Sequence, residues 1–384
     1  HRGPDSDGFF EDQRMHMGFR RLSIIDLENG SQPMFNEDGE VAVVFNGEIY
    51  NSPELRERFK AKGHIFANSS DTETLVHGYE EYGEKLVHEL RGMFGFAIWD
   101  NKKKRLFMAR DFFGIKPVYY AMVNGNLVFG SEIKSILEFP GFRKEVNTEA
   151  LEEYLSFQYS SLKETFFKGV YRLLPGHYLT YYNGELNITQ YFDPKLMPVS
   201  KDSQEVLVKK LTDVLEDSVQ KHMLADVEVG AFLSSGVDSS YIAAKYSGTK
   251  TFTVGFFDKN NQYNETHYAE RCAEYLGLEN YSHTITEEEY WGEMPKIMYH
   301  MDEPLADPAA IALYFVAREA AKHVKVVTSG EGADEFFGGY TIYREPISLG
   351  WYTWLPKGLR KAAAKAAKKL PEGIKGRTFL IRGG

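Results

Sequence analysis

Short apolar runs separated by turn residues fill the first half of the chain. Phe94–Asp100 and Arg105–Arg110, separated by Asn101–Lys104, predict a β-hairpin. Asn124-Gly125 and Asn183-Gly184 lie between strand-like runs and predict tight type I′ turns, because both residue types tolerate positive φ. Many strands with few helices predict a layered α+β domain.

One strand and two helices are predicted before that hairpin. Val41–Phe45 is an apolar run that we expect to break at Asn46-Gly47. The pair Ser52-Pro53 predicts a helix start, since serine caps free N–H groups and proline lacks one. This helix is expected to stop at Gly63, and a second helix is predicted for residues 71–83.

The pattern changes where Asp193-Pro194-Lys195-Leu196-Met197-Pro198 forms a predicted linker. From Ser203 onward the predicted helices are longer and alternate with apolar strands. The predicted strands are Val227–Leu233, Thr251–Phe256 and Val324–Thr328, and the predicted helices begin at Ser239 and span 308–323. Wholly apolar strands that alternate with helices indicate a parallel, doubly wound sheet. We therefore place one domain at residues 1–194 and a second at 203–384.

Charge and composition exclude several classes of function. The net charge of −10 argues against a nucleic-acid partner, which is held by a surplus of lysine and arginine. No apolar run is long enough to span a bilayer. The Lys/Ala-rich run Lys357–Lys369 predicts a solvated surface helix, with binding to a membrane surface or a partner as the alternative. The single cysteine, Cys272, excludes an internal disulfide and favours a reducing, cytoplasmic location.

A loop of small residues follows the first apolar strand of the second half. Leu233-Ser234-Ser235-Gly236-Val237-Asp238-Ser239-Ser240 would aim successive backbone N–H groups and serine hydroxyls at one point, beside a helix N-terminus. This arrangement predicts an anion site, and Asp238 within it implies Mg²⁺, because a carboxylate would otherwise repel phosphate. The alternative interpretation is a helix-capping turn without a ligand.

A second loop of this type follows the third apolar strand. Ser329-Gly330-Glu331-Gly332-Ala333-Asp334-Glu335 also combines glycine, serine and acidic residues before a helix. Loops that follow parallel strands meet at the carboxyl edge of the sheet, where such folds bind ligands. The two loops are therefore expected to converge, with Asp238 and Asp334 sharing metal ions.

The first loop resembles the Ser-Gly-Gly-x-Asp-Ser loop of ATP-pyrophosphatases, although Ser235 stands where glycine is commoner. The second resembles the Ser-Gly-Glu-Gly-x-Asp-Glu segment of asparagine synthetases and the related β-lactam synthetases. The resemblance implies an ATP site whose residues divide by role. Leu233 and Val254 would contact adenosine; Ser234, Ser235, Gly236, Asp238 and Ser239 would hold pyrophosphate; Ser329, Gly330 and Glu331 would line the nucleotide and acyl-adenylate; Asp238 and Asp334 would bind Mg²⁺.

The expected chemistry follows from a grip on the β,γ-phosphates of ATP. A substrate carboxylate would attack the α-phosphorus, pyrophosphate would leave, and the resulting acyl-adenylate would react with ammonia. Glu331 is the predicted base that removes a proton during that attack. Its alternative role is that of an acid in the first turn of a helix.

Three segments of the first half resemble the glutaminase domain of class II amidotransferases. They are Arg21-Leu22-Ser23-Ile24-Ile25-Asp26, Asn46-Gly47-Glu48-Ile49-Tyr50-Asn51 and Ser70-Asp71-Thr72-Glu73. The resemblance implies the N-terminal-nucleophile hydrolase fold, an αββα sandwich. It also implies a glutamine site in which Arg21 binds the α-carboxylate and Asp71 the α-ammonium, with Glu48 and Ile24 beside them. The Asn46 amide and the Gly47 N–H would stabilise the oxyanion that forms during hydrolysis.

The cysteine nucleophile of that family does not precede His1, and Cys272 in the other half is expected to be a buried structural thiol. We therefore expect the chain to be truncated at both ends, lacking the nucleophile and an acyl-site lysine, and to hydrolyse no glutamine alone. The predicted function is ATP-dependent amidation of aspartate to asparagine with ammonia from glutamine.

Two alternatives remain open at the level of sequence. One is amidation of a different carboxylate, such as a cell-wall or secondary-metabolite precursor, by the same architecture. The other is a non-catalytic relative that binds glutamine or a nucleotide. Residues 302–308 either shape the acyl pocket or form a proline-bounded loop with a helix cap, and a homodimer is an open option.

Overall fold

The computed structural model describes residues 2–195, 199–257, 264–371 and 373–383. The chain packs as two compact units, His1–Thr328 and Ser329–Gly384. The first unit contains an antiparallel half followed by a parallel sheet. Of the predicted linker, Leu196, Met197 and Pro198 lie outside the described residues.

The antiparallel half contains three sheets. Its strands are β1 (Ser6–Glu11), β2 (His16–Arg21), β3 (Met34–Phe35), β4 (Val41–Ile49), β5 (Gly92–Asp100), β6 (Arg105–Arg110), β7 (Tyr119–Val123), β8 (Asn126–Gly130), β9 (Val170–Arg172), β10 (His177–Tyr182) and β11 (Glu185–Gln190). Its helices are α1 (Ser52–Lys60), α2 (Glu73–Tyr82), α3 (Ile133–Leu137) and α4 (Thr148–Phe157). The strand orders are β11-β10-β6-β5-β4-β3, β1-β2 and β8-β7-β9.

Alternating side chains of the six-stranded sheet feed two separate cores. On β5, Phe96 and Ile98 face the core that helices α1 and α2 cover, whereas Ala97 and Trp99 face the opposite core. That second core includes side chains of β2, β7 and β8, and α3 packs on the other side of the three-stranded sheet through Ile133. The layers therefore run helix, sheet, sheet, helix, which confirms the predicted αββα sandwich.

The second half of the first unit is a parallel sheet with helices on both faces. Its strands are β12 (Val229–Phe232), β13 (Lys250–Phe256), β14 (Glu279–Ile285) and β15 (Val326–Thr328), in the order β14-β13-β12-β15. Its helices are α5 (Gln204–Lys221), α6 (Val237–Lys245), α7 (Thr266–Leu276), α8 (Glu287–Met301) and α9 (Pro308–Ala320). All neighbouring strands are parallel, so the predicted doubly wound sheet is confirmed.

The second unit is helical. It contains α10 (Ala333–Phe337), α11 (Glu345–Thr353), α12 (Lys357–Ala367) and α13 (Arg377–Gly383). Helix α12 is the predicted Lys/Ala helix, and it buries Ala364 and Ala367 while its lysines are exposed. This pattern is that of an amphipathic surface helix.

Three local predictions need correction or refinement. The strand that begins at Val41 does not break at Asn46-Gly47 but continues to Ile49. Helix α1 starts with Asn51 at the cap position, and that side chain forms no capping hydrogen bond. Strand β14 was not predicted, because its sequence Glu-Asn-Tyr-Ser-His-Thr-Ile is mostly polar and lies at a sheet edge.

Across the described ranges, which leave out residues 1, 196–198, 258–263, 372 and 384, none of the helices combines the length and apolar character needed to cross a bilayer.

Candidate functional site

A cavity of about 840 Å³ lies in the antiparallel half, between β2, β4 and the loop that precedes α2. All of the predicted glutamine-site residues line it: Arg21, Ile24, Asn46, Gly47, Glu48 and Asp71. These residues come from three segments far apart in sequence, and the fold brings them to one place. The volume lies within the usual range of about 300–1,000 Å³ for small-molecule sites.

Asn46 presents an unused donor to this cavity. Its Nδ2 atom is buried, and no described residue accepts a hydrogen bond from it. A buried amide without a partner costs free energy, so its retention favours a role with a ligand. The neighbouring Gly47 is required by space, because a Cβ there would lie 2.0 Å from the Met93 carbonyl oxygen.

Glu48 and Asp71 form a buried carboxylate pair in the cavity wall. Burial and the charge of Asp71 raise the pKa of Glu48 well above its ordinary value. Burial also raises the pKa of Asp71, although the backbone N–H of Ile49 donates to it at 2.9 Å and opposes the shift. The Glu48 Oε2 atom accepts from no described donor. Two buried carboxylates with an unused oxygen favour a cationic ligand group.

Arg21 is buried and already hydrogen-bonded to the adjacent loop. Its Nη2 donates to the carbonyls of Ile25 at 2.8 Å and Asp26 at 2.6 Å, and its Nη1 donates to Leu27 at 3.3 Å. Burial lowers the pKa of Arg21. These bonds fix the orientation of the guanidinium and use part of its five N–H donors. A ligand carboxylate would therefore bind only the N–H groups that remain.

Lys116 also lines the cavity, and the sequence reasoning did not single it out. Burial is the main cause that lowers the pKa of Lys116, and the charge of Glu48 opposes this shift. Its segment follows Asp111, whose carboxylate accepts the backbone N–H groups of Ile115 and Lys116 at 2.9 Å each.

The first strand-to-helix loop is closed by its own serines. The Ser234 and Ser239 hydroxyls lie 3.0 Å apart, Ser239 Oγ accepts the Ser234 N–H at 3.1 Å, and Ser234 Oγ accepts the Gly236 N–H at 3.4 Å. Asp238 is exposed and lies in the first turn of α6, whereas the sequence placed it in the loop before the helix. The helix starts at Val237, two residues earlier than the sequence suggested.

Ser235, which stands where glycine is commoner in the loop that it resembles, adopts a φ of +68°. A non-glycine residue in this region costs about 1 kcal/mol or more. Replacing Ser235 with glycine is therefore expected to stabilise the loop conformation by about 0.5–1 kcal/mol. Chemical denaturation measures the change in the free energy of unfolding. Ser240→Gly is the control and should be destabilising, because Ser240 lies within helix α6. A destabilising Ser235→Gly would mean that the serine side chain makes a contact worth more than the strain.

The two predicted adenosine contacts are both packed into the core. Leu233 is 2% exposed and packs against Ala243 and Ala269. Its N–H donates to Phe252, and its carbonyl accepts from the Thr253 hydroxyl at 2.8 Å. Val254 is half-buried among the apolar side chains of α8 and α9. Both residues therefore contribute to the apolar core next to the carboxyl edge of the sheet. Their contact with adenosine remains a prediction.

The second loop belongs to the second compact unit. Ser329 Oγ accepts the Glu331 N–H at 3.4 Å, and Gly332 has a φ of +89° at the start of α10. Asp334 lies on this short helix, and a Cβ at Gly339 would come 1.8 Å from Asp334 Oδ1. The Asp334 carboxylate therefore packs against the backbone at position 339, which requires glycine there.

The strands that precede the two loops are neighbours. Strand β12 pairs in parallel with β15, and Ala231 lies opposite Thr328. Both strands end at the same edge of the sheet, at Phe232 and Thr328. The chain therefore leaves the sheet twice at the edge where such folds place their ligands.

Residues 302–308 join the two halves of the first unit. Asp302, at a φ of +64°, accepts the Ile133 N–H at 2.7 Å and lies 2.7 Å from Lys134 Nζ. Glu303 accepts from Arg172 with both oxygens, at 2.7 and 2.8 Å. Asp307 caps α9 through the Ala309 N–H. The segment thus contains the predicted helix cap, and its acids also bind the antiparallel half.

Glu303→Gln is expected to destabilise the chain by about 1–3 kcal/mol, because charge-assisted hydrogen bonds are worth more than neutral ones. The carboxylate also accepts the Phe166 N–H, so the change weakens three bonds at once. Urea denaturation measures the loss. Glu274→Gln removes the same charge from an exposed position on α7 and serves as the control. Equal stability of the two variants would contradict the expectation.

A second junction connects the cavity loop to the parallel sheet. The Asp226 N–H donates to the Ile24 carbonyl at 2.9 Å, and the Asp26 N–H donates to Asp226 Oδ2 at 2.7 Å. Asp226 lies three residues before β12. Nearby, the Tyr50 and His222 rings are 4.1 Å apart. The wall of the cavity is therefore hydrogen-bonded to the segment that enters the central strand.

Cys272 is on α7, as predicted, and not at the cavity. It is partly buried beside Leu276 and Leu278, and its Sγ lies 3.5 Å from Ser240 Oγ. This position agrees with a structural thiol.

Comparison with known proteins assigns each half to a family. The model of the glutamine amidotransferase domain matches residues 1–192, and that of asparagine synthase matches residues 210–381. Asparagine synthetase [glutamine-hydrolyzing] 1 of Bacillus subtilis is 48% identical over 388 residues, covering 100% of this chain and 61% of its own length. A putative asparagine synthetase of Mycobacterium tuberculosis is 44% identical over 404 residues, covering 100% of this chain and 62% of its own length.

A third relative covers more of its own chain. Putative asparagine synthetase [glutamine-hydrolyzing] 2 of Methanocaldococcus jannaschii is 32% identical over 399 residues, covering 96% of this chain and 76% of that protein. The chain thus spans about three fifths of the first two relatives and three quarters of the third. With both halves matched in order and a relative 32% identical over three quarters of its length, the chain belongs to the family of glutamine-hydrolysing asparagine synthetases.

Proposed function

We propose that this chain takes part in the ATP-dependent conversion of aspartate to asparagine, with ammonia supplied from glutamine. The observation that supports this most is the cavity in which a buried carboxylate pair and an unpartnered amide donor lie together. Together with Arg21, which also lines the cavity, these groups complement the three polar ends of free glutamine. The proposal includes a cytoplasmic location, in keeping with a single reduced cysteine.

In the glutamine site, Arg21 binds the α-carboxylate through the N–H groups that its loop contacts leave over. Asp71 and Glu48 bind the α-ammonium, whose charge offsets the repulsion within the carboxylate pair. The Asn46 amide and the Gly47 N–H then face the side-chain carbonyl and stabilise the negative charge that develops on its oxygen. Ile24 lines the cavity beside them.

In the ATP site, backbone N–H groups and hydroxyls of Ser234, Ser235, Gly236 and Ser239 bind the pyrophosphate portion. Asp238 and Asp334 would hold Mg²⁺, whose preference for carboxylate oxygens they meet. Bound Mg²⁺ supplies positive charge that makes pyrophosphate a better leaving group. Leu233 and Val254 support the adenosine end, and Ser329 and Gly330 line the nucleotide.

The aspartate side-chain carboxylate attacks the α-phosphorus of ATP, and β-aspartyl-adenylate and pyrophosphate form. Ammonia then attacks the activated carbonyl, and AMP leaves as asparagine forms. Glu331 accepts the proton that the attacking nitrogen must lose. An exposed glutamate at the start of the loop is accessible for this transfer.

The test is a screen of carboxylates on the complete gene product that contains these residues. With ATP, Mg²⁺ and ammonium, aspartate is expected to give one AMP and one pyrophosphate for each asparagine. Glutamate, β-alanine and larger carboxylates serve as comparison substrates. If another carboxylate is amidated in preference to aspartate, the acceptor assignment is wrong. If ATP and glutamine bind but no carboxylate releases pyrophosphate, the chain is a non-catalytic binding protein and the whole proposal fails.

A further inference from the structure

A second cluster of chemically competent side chains lies on the helix-covered side of the antiparallel half. It consists of Glu37, His64, His77 and Glu80, and we call it the histidine–glutamate cluster. Glu37 follows β3, His64 follows α1, and His77 and Glu80 lie on α2. None of the four lines the glutamine cavity.

The spacing of the potential ligand atoms is already close to that of a tetrahedral metal site. His64 Nδ1 is 3.3 Å from Glu37 Oε1 and 3.8 Å from Glu80 Oε2, and His77 Nδ1 is 3.4 Å from Glu37 Oε2 and 3.5 Å from Glu80 Oε2. All four ligand atoms lie within 4.8 Å of one another. Ligands about 2.0–2.1 Å from zinc at tetrahedral angles are about 3.3 Å apart, so zinc binding would require the most distant pair of ligand atoms to approach by about 1.5 Å.

His77 gives an independent indication of a ligand. Its side chain is 1% exposed, and neither ring nitrogen forms a hydrogen bond with any described residue. Its Nδ1 nevertheless points between two carboxylates. A fully buried imidazole whose nearest carboxylate oxygens lie 3.4–3.7 Å away, outside hydrogen-bond geometry, carries a desolvation cost that a bound metal ion would offset.

Further carboxylates orient both rings from the outside. Glu81 Oε1 lies 3.2 Å from His64 Nε2, and Glu73 Oε1 lies 3.7 Å from His77 Nε2. Glu73 is itself fixed, since it accepts the backbone N–H groups of Ala67 and Asn68 at 2.6 and 3.0 Å. Metal-binding histidines ordinarily donate their second nitrogen to such a carboxylate.

The two carboxylate ligands are held by other contacts as well. Glu80 Oε1 accepts from Asn36 Nδ2 at 2.7 Å, which leaves Oε2 facing the rings. Glu37 Oε1 accepts the Ile65 N–H at 2.9 Å, and its Oε2 faces His77. Each glutamate can therefore offer one oxygen without losing its anchor.

We infer that the histidine–glutamate cluster is a structural zinc site that ties the turn after β3 and the loop after α1 to helix α2. Two neutral imidazoles and two carboxylates leave a charge of −2, which Zn²⁺ neutralises. Imidazole nitrogens select a first-row transition ion over Mg²⁺ or Ca²⁺, and four protein ligands leave no open position for catalysis. The competing state is a pair of protonated histidines held by the same acids without metal.

The experiment uses the untagged chain, freed of metal with a chelator and dialysed near neutral pH. Zinc is titrated against a chromophoric chelator, and one tightly bound Zn²⁺ per chain is expected. Cobalt is then added in its place, and the intense visible absorption of tetrahedral Co²⁺ is expected without a thiolate charge-transfer band, because no cysteine is a ligand. Mg²⁺ at the same concentration should not displace either ion.

Variants locate the binding. Glu80→Gln and His64→Ala change partly exposed ligands and should weaken zinc binding by at least about 10–100-fold, with unchanged circular dichroism. Glu57→Gln, an exposed acid on α1, is the matched control and should bind zinc as the parent chain does. The inference is overturned if zinc binds no better than micromolar, or if Glu80→Gln and His64→Ala bind it as tightly as the parent. Glutamine binding is measured independently by titration into the same samples. A chain that binds no zinc would therefore leave the proposed function unaffected.

Discussion

Asn46→Ala is expected to lower glutamine-dependent asparagine synthesis about 100- to 1,000-fold, the usual cost of losing one oxyanion donor. Its amide is buried in the cavity and has no accepting partner among the described residues. The substitution removes the donor and little packing. Synthesis driven by added ammonium should be unchanged, because ammonia bypasses the glutamine cavity. Both rates are measured by asparagine formation in the complete gene product.

The ratio of the two rates separates catalysis from folding. Asn187→Ala, on the exposed edge strand β11, is the matched control and should leave both rates at the parental level. If Asn46→Ala lowers the ammonium-driven rate as much as the glutamine-driven rate, the residue supports the fold, and the oxyanion assignment is wrong.

Glu331→Gln should have the second large effect. Loss of a positioned base lowers a reaction rate about 100- to 10,000-fold, so the rate of asparagine formation from either nitrogen source should fall by that factor. Adenylation precedes the attack of ammonia, so a burst of about one pyrophosphate per active site should persist. Rapid-quench measurement of pyrophosphate and asparagine in parallel distinguishes the two steps.

Glu335→Gln is the control for this variant, since Glu335 is an exposed acid on the short helix α10 that follows Glu331, and it accepts from the Tyr340 hydroxyl at 2.9 Å. It should retain both steps. Loss of the pyrophosphate burst in Glu331→Gln would place this residue in adenylation instead of ammonia attack.

Local turn chemistry made part of the fold predictable. Asn124-Gly125 and Asn183-Gly184 adopt positive φ at both positions and connect the predicted strand pairs. The hairpin of β5 and β6 pairs as expected, with Asp100 opposite Arg105. In each case a few adjacent residues determine the conformation, so the sequence carries the whole signal.

Asn46-Gly47 has the same composition but a different structure. Here the pair lies within β4, and Gly47 is needed because the Met93 carbonyl of β5 approaches it closely. The reason for the glycine is therefore a partner strand that begins 45 residues later. Local patterns cannot distinguish this case from a turn, since the neighbour that decides it is distant in sequence.

The candidate sites show the same division. The glutamine and phosphate segments could be named because each contains several characteristic residues in a row. Lys116 and the histidine–glutamate cluster could not, because Lys116 reaches the cavity only through the fold, and the four cluster residues meet only through the packing of the segments after β3 and α1 against α2. Isolated histidines at 64 and 77 match no metal-binding spacing in the sequence.

The hydrogen bonds of Asp226 to Ile24 and Asp26 have one more consequence. They connect the loop at the edge of the glutamine cavity to the segment just before β12. Strand β12 in turn leads into the loop that begins at Ser234. If an amino acid that enters the cavity displaces this loop, either these two hydrogen bonds break or β12 moves with the loop. Binding of a substrate in the antiparallel half can therefore affect the position of the parallel sheet through a short stretch of chain.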